Sequence, residues 1–151
     1  MFFKNMEKDS FLNKINSEFV IITNNIDFDI VTNALEIEPT RFFNKGDKFT
    51  SKYSSRVGYK PHGLWGKQSD SIISEEIDVS IHIRYFQKLL ENKIEVLTKL
   101  KQKYQFEFIF IINIETEDAG IGLDLNSAEL KFISKIASRY SCSFISKETV
   151  V

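Results

Sequence analysis

The apolar positions of this 151-residue chain change period several times, and each change marks an element. Glu18-Phe19-Val20-Ile21-Ile22-Thr23 is β-branched and aromatic, with Asn24-Asn25 as a turn behind it, and is predicted as the first strand. Asp27 stands where a short side chain can cap a helix by accepting an orphan amide hydrogen bond. Ile30, Ala34 and Leu35 then share a face, so a short helix is expected, ending before Pro39, which disfavours helix at Glu38.

Residues 36–62 lose periodicity and carry Pro39, Gly46, Gly58, Pro61 and several serines. A loop of this length inside one domain is typically functional or mobile. A short strand is expected around Phe42-Phe43, and residues 63–69, with Leu64 and Trp65, form a second strand of weak propensity. Ser74-Glu75-Glu76 opens the longest helical stretch. There Ile77, Ile81, Tyr85, Phe86, Leu89, Leu90, Ile94, Leu97 and Leu100 recur at three- and four-residue steps, with Asn92-Lys93 as a break.

Residues 106–115 are apolar on both faces over their centre, which places them inside a sheet. Ile121-Gly122-Leu123-Asp124-Leu125 reads as a short strand, with a turn at Asp118-Ala119-Gly120. Asn126-Ser127-Ala128-Glu129 matches a capping box, and Leu130, Ile133, Ile136 and Ala137 give the following helix its face. Cys142-Ser143-Phe144-Ile145-Ser146 closes the pattern as a strand. Strands and helices do not alternate regularly, and neighbouring strands about Gly120 suit a hairpin. The expected fold is α+β: an antiparallel or mixed sheet of about five strands with helices mainly on one face.

The length fits one domain, which at this size hides roughly 70% of its unfolded surface. We expect an N-terminal extension over residues 1–15 and a single domain over 16–151 with a long loop at about 36–62. One cysteine, Cys142, excludes an intrachain disulfide and fits a reducing compartment. Charges interrupt the first eight residues, so no signal-peptide core is present, and Phe108-Ile109-Phe110-Ile111-Ile112 is far too short to span a bilayer. A cytoplasmic protein without a membrane partner is expected. Heavy use of Ile, Lys, Asn and Phe is associated with AT-rich bacterial genomes.

The net charge of −1 selects no partner, but its distribution is uneven. Arg41, Lys45, Lys48, Lys52, Arg56, Lys60 and Lys67 face only Asp47 and Asp70 between Pro39 and Asp70, leaving that segment at +5 and the rest at −6. A cationic segment on an acidic body suits an anionic ligand or partner; the plainer alternative is a solvated lysine-rich loop.

The common catalytic signatures are missing: no dinucleotide or phosphate loop, no nucleophile elbow, no Cys-Xaa-Xaa-Cys. His62 and His82 have no second histidine at metal spacing, so no metal site and no cofactor are expected. Cys142 reads as a small half-buried side chain, His82 as a core or boundary residue. The acids Asp27, Asp29, Glu36 and Glu38 read as caps and solvated charges.

One constellation remains: Leu35-Glu36-Ile37-Glu38-Pro39-Thr40-Arg41, an aromatic pair, Lys45-Gly46-Asp47, His62-Gly63-Leu64-Trp65 and Ser69. Here the sequence resembles the bacterial family called domain of unknown function 4279. His82 in a helix followed by Leu89-Leu90 suits the family's helical centre, and Leu123-Asp124-Leu125 with the last helix and strand fits its end. The resemblance runs from about Glu18 to Ile145. It departs at Glu36, where glycine is usual, and at Phe43, where tryptophan is common. It implies no settled activity.

Taken by themselves, Pro39 fixes the exit from the short helix and Lys45-Gly46-Asp47 is a turn. Arg41 offers a planar fork for a carboxylate or phosphate, and Trp65 an aromatic face. Two readings stand open. In one, Arg41 pairs with Asp47 to pin the loop and Trp65 covers the core. In the other, Thr40, Arg41, Lys45, Asp47, His62 and Trp65 line a site for a small anionic group. For the whole chain we expect a non-enzymatic protein-binding protein, with an immunity protein against a bacterial toxin domain as its leading form and a sensor of a small anionic ligand as the alternative. An enzyme would need an unrecognised site such as His62 with Asp47. Nucleic acid is disfavoured by the net charge and by the lack of a stacking sheet or helix-turn-helix pattern.

Overall fold

The computed structural model describes residues 12–74, 77–117 and 122–146. Among these, the elements run β1 (Asn13–Asn24), α1 (Asp29–Leu35), β2 (Arg41–Phe43), β3 (Lys48–Thr50), β4 (Val57–Tyr59), β5 (Gly63–Gln68), β6 (Ile72–Ser74), α2 (Ser80–Leu90), α3 (Ile94–Tyr104), β7 (Glu107–Thr116), α4 (Ser127–Ile136) and β8 (Arg139–Ser146). The fold is α+β, and its main sheet is mixed and six-stranded. Five strands lie in the order β2-β5-β1-β7-β8, and β6 pairs with the beginning of β1. Only the β7–β8 pair is parallel; β3 and β4 form a separate two-stranded hairpin.

β1 and β7 are the two innermost long strands, and they carry the densest apolar runs. β1 starts at Asn13, so residues 13–15, expected in an extension, belong to the sheet; residues 1–11 lie outside the described residues. The first strand is longer than its apolar run because Asn13, Lys14 and Ile15 pair with β6, and Lys14 and Ile15 also pair with β7. Alternate side chains feed two faces. Phe19 and Ile21 of β1 join Phe108, Phe110, Ile112 and Ile114 of β7 and Trp65 of β5 under the helices, in the main core with Ile83, Phe86, Leu90, Leu97, Ile133 and Ile136. Val20, Leu64 and Ile109 form a smaller buried cluster on the other face, flanked by Ile22, Phe43 and Ile111.

α1 has Asp27 before it: the Asp29 amide donates to the Asp27 carboxylate at 2.9 Å. It ends at Glu36, whose φ of 58° is left-handed and whose amide donates to the Thr32 carbonyl at 2.8 Å. The long helical stretch breaks where Asn92-Lys93 predicts, but it begins at Ser80 rather than Ser74. Ser74 closes β6, and Asp78 accepts from the Ser80 amide at 2.9 Å; Glu75 and Glu76 lie outside the described residues.

The capping box at Asn126 and Glu129 is formed in both directions, at 2.8 and 3.0 Å. The strand and hairpin expected about Gly120 are not: residues 122–126 are irregular, and residues 118–121 lie outside the described residues. Leu123 and Leu125 alternate with exposed Asp124 because both pack on the core from a loop that carries the chain to α4. β7 and β8 are therefore parallel strands joined by a helical crossover.

Candidate functional site

Residues 36–62 hold three short strands: β2 falls where a strand was expected around Phe42-Phe43, and β3 and β4 stand where a loop was expected. β2 adds to β5 with Arg41 opposite Gly66, Phe42 opposite Trp65 and Phe43 opposite Leu64. Thr40 fastens its start: its amide donates to the Gly66 carbonyl at 2.8 Å, and its hydroxyl accepts from the Gln68 amide at 2.9 Å.

The Arg41 fork is occupied from within. Its Nε donates to Glu18 Oε2 at 3.1 Å and its Nη2 to Glu18 Oε1 at 2.7 Å. The expected Arg41–Asp47 pair is thus replaced by an Arg41–Glu18 pair. Asp47 closes its own turn instead, accepting from the Asn44 amide at 2.8 Å. Gly46 takes φ of 88° in that turn, which glycine supplies without strain. Lys45 is exposed. His62 is half-buried, its Nδ1 3.2 Å from the Gly63 carbonyl oxygen and its ring 6.2 Å from Phe43. Trp65 is fully buried, and its indole N–H donates to the Thr32 hydroxyl at 3.1 Å. The six sequence candidates are therefore spread over the sheet, the turn and the core. Arg41 serves Glu18, and Trp65 offers no face to solvent.

Glu18 is the residue that sequence reasoning passed over. It sits in the middle of the sheet, its side chain 3% exposed, in a strand otherwise rich in Phe, Val and Ile. That isolated acid was its signal, since a buried carboxylate needs a partner. Gly66 leaves the room: a β-carbon there would come within 3.0 Å of the Glu18 carboxylate.

A second internal knot joins Ser69 and His82, both buried. Ser69 Oγ lies 2.8 Å from His82 Nδ1 and accepts from the Ser17 amide at 2.9 Å. His82 Nε2 has no partner, and burial lowers its pKa against a smaller raising effect from Asp78. This ties α2 to β1 through the segment after β5.

The β3–β4 hairpin is different in kind, because it presents its side chains. Lys48 pairs with Tyr59, Phe49 with Gly58 and Thr50 with Val57. Lys60 anchors its base, its ammonium 4.2 Å from the Phe43 ring centre and 4.5 Å from that of Phe49. Gly58 leaves room for the Phe49 ring from the opposite strand, since a β-carbon there would approach that ring to 2.8 Å. Beyond this base Tyr53 is 99% exposed, Tyr59 66% and Val57 53%. Exposed Lys48, Lys52 and Arg56 stand among them. Aromatic residues and arginine are the side chains that most often anchor protein interfaces. The sequence did carry this signal, as tyrosines interleaved with lysines and serines in an aperiodic stretch.

Among the described residues there is no cluster of three or more His, Cys, Asp or Glu able to hold a metal ion. No helix among them is long and apolar enough to cross a membrane. One of the comparisons with known proteins gives a match. A family model described as a domain of unknown function, DUF4279, matches residues 13–143. No curated protein and no solved structure matches the chain.

Proposed function

The chain belongs to the DUF4279 family, and we propose that it is a non-enzymatic protein-binding protein, working in the cytoplasm, that engages an acidic partner through its β3–β4 hairpin. One observation carries the reading: solvent-facing Tyr53, Val57 and Tyr59 beside Lys48, Lys52 and Arg56 on a two-stranded projection. Exposed aromatics cost free energy in water that burial in an interface returns. The surrounding cations steer an acidic surface toward them and reject basic ones. A bacterial toxin domain is the partner class we place first, because neutralising it needs only a complementary surface with a few anchors. A duplex or single-stranded nucleic acid would meet the same cations, yet the remaining −6 of charge on the chain opposes it.

The alternative, a small anionic ligand held by Arg41 and Trp65, would need the guanidinium to leave Glu18 and the indole to leave the core. The hairpin reading is tested by Tyr53→Ser with Tyr59→Ser. Both side chains are exposed, so the fold stays intact. Affinity for a captured partner is expected to fall at least about 30-fold, as for loss of an interface anchor. Unchanged affinity would refute it.

A further inference from the structure

Strand β8 ends the six-stranded sheet and pairs only with β7 among the described residues. Natural sheet edges are usually protected by charge, proline or a bulge. β8 has one charge, Arg139 at its start, which lies 3.2 Å from Glu107 of the neighbouring strand. From Tyr140 to Ser146 it has neither charge nor proline. Tyr140 is 38% exposed, Phe144 52% and Ile145 56%.

The sequence of this edge is symmetric. Tyr140-Ser141-Cys142-Ser143-Phe144 reads aromatic, serine, cysteine, serine, aromatic in either direction. Such a strand is complementary to its own reverse, which is what an antiparallel copy presents. Its geometry suits that pairing. Tyr140, Cys142 and Phe144 stand beside Phe110, Ile112 and Ile114 and so share the helix-bearing face. The Ser138 amide donates inward to the Phe108 carbonyl at 3.0 Å. Continued alternation turns the backbone groups of Tyr140, Cys142 and Phe144 toward β7 and those of Ser141, Ser143 and Ile145 outward.

We propose that two copies of this chain associate through β8, antiparallel and centred on Cys142, to form one continuous sheet. Tyr140 then lies opposite Phe144 of the second copy, and Ser141 exchanges backbone hydrogen bonds with Ser143 of the second copy. The two Cys142 residues face each other in a non-hydrogen-bonded pair, where Cα atoms stand about 4.5 Å apart. The contact is small. A fully covered aromatic contributes about 150–250 Å², and these rings are already partly covered. The pairing therefore falls short of the roughly 800 Å² per partner of a stable interface. The dimer is weak and forms with rising concentration.

The full chain is tested by sedimentation velocity from low micromolar to several hundred micromolar. A reversible monomer–dimer shift is expected, and Phe144→Lys, checked for folding by circular dichroism, should abolish it. Register is read by oxidation with diamide at alkaline pH, since burial pushes the Cys142 thiol up. Two thiols lose two protons and two electrons to diamide, which becomes the hydrazine. Wild type should yield an interchain disulfide that dithiothreitol reverses. In a Cys142→Ser background, Ser143→Cys alone should yield none, whereas a mixture of Ser141→Cys and Ser143→Cys chains should. A monomer at every concentration, a dimer that survives Phe144→Lys, or equal crosslinking of all three cysteine positions would overturn the proposal.

Discussion

Arg41 grips Glu18 at both carboxylate oxygens across Gly66, with the acid 3% and the arginine side chain 49% exposed. The buried partner makes this contact asymmetric. Losing the arginine strands a carboxylate inside the sheet, whereas losing both leaves an apolar neighbourhood with Val20 and Ile111. Glu18 and Arg41 thereby hold the short edge strand β2, and with it the base of the hairpin, onto β1.

Arg41→Ala should lower stability by about 2 kcal/mol, in the range for hydrogen bonds to a charged group. Glu18→Gln should cost a similar amount, and the double variant clearly less than the sum. Arg41→Lys should recover only part, since an ammonium cannot span two oxygens. Asp47→Ala should add independently to Arg41→Ala. Urea unfolding of the four single variants and the two double variants checks this; coupling of Arg41 to Asp47 with none to Glu18 would reverse the assignment.

Glu36 holds a left-handed φ of 58° at the end of α1. A side chain there costs about 1 kcal/mol that glycine avoids. Its ion pair with Lys93, 3.6 Å long and with Glu36 82% exposed, offsets little of this. Glu36→Gly should therefore raise the melting temperature. A fall would mean that the lost chain entropy or the Lys93 contact outweighs the relief.

The Ser69–His82 knot gives a pH dependence with a fixed sign. Burial lowers the folded-state pKa of His82 below its ordinary value of 6.5. Protonation then favours the unfolded chain. The stabilising contribution is complete above 6.5 and is lost as pH falls from there toward the folded-state value, by at most about 1.4 kcal/mol per pH unit. His82→Asn keeps an acceptor near Ser69 and cannot titrate, so its stability should stay flatter over the same range. Parallel curves for the two proteins would assign the acid sensitivity elsewhere.

What the sequence made legible follows from how local the signal was. β7 was readable because Phe108 to Ile112 form an apolar run with no helical period, and α4 because Asn126 and Glu129 satisfy each other within one turn. The break at Asn92-Lys93 was local too. The Arg41 partner was not legible, because Glu18 lies 23 residues away and meets it only after β5 has come between β2 and β1. Trp65 looked like a binding face because a sequence shows a ring without showing Thr32 bonded to it. Leu123-Asp124-Leu125 alternated like a strand because packing a loop on a core imposes the same alternation. The hairpin was hidden because strands of three residues leave almost no period to read.

The most direct measurement is a quantitative capture of cytoplasmic proteins on immobilised full-length chain, run in parallel with Tyr53→Ser/Tyr59→Ser and with Phe144→Lys. Any captured protein is then purified and its affinity measured against all three at low and high salt. The expected result is an acidic protein that binds wild type and Phe144→Lys equally, binds the tyrosine variant at least about 30-fold more weakly, and loses affinity with salt. A partner that binds the tyrosine variant as well as wild type, or capture of nucleic acid alone, would contradict the assignment of the hairpin as a protein-binding surface.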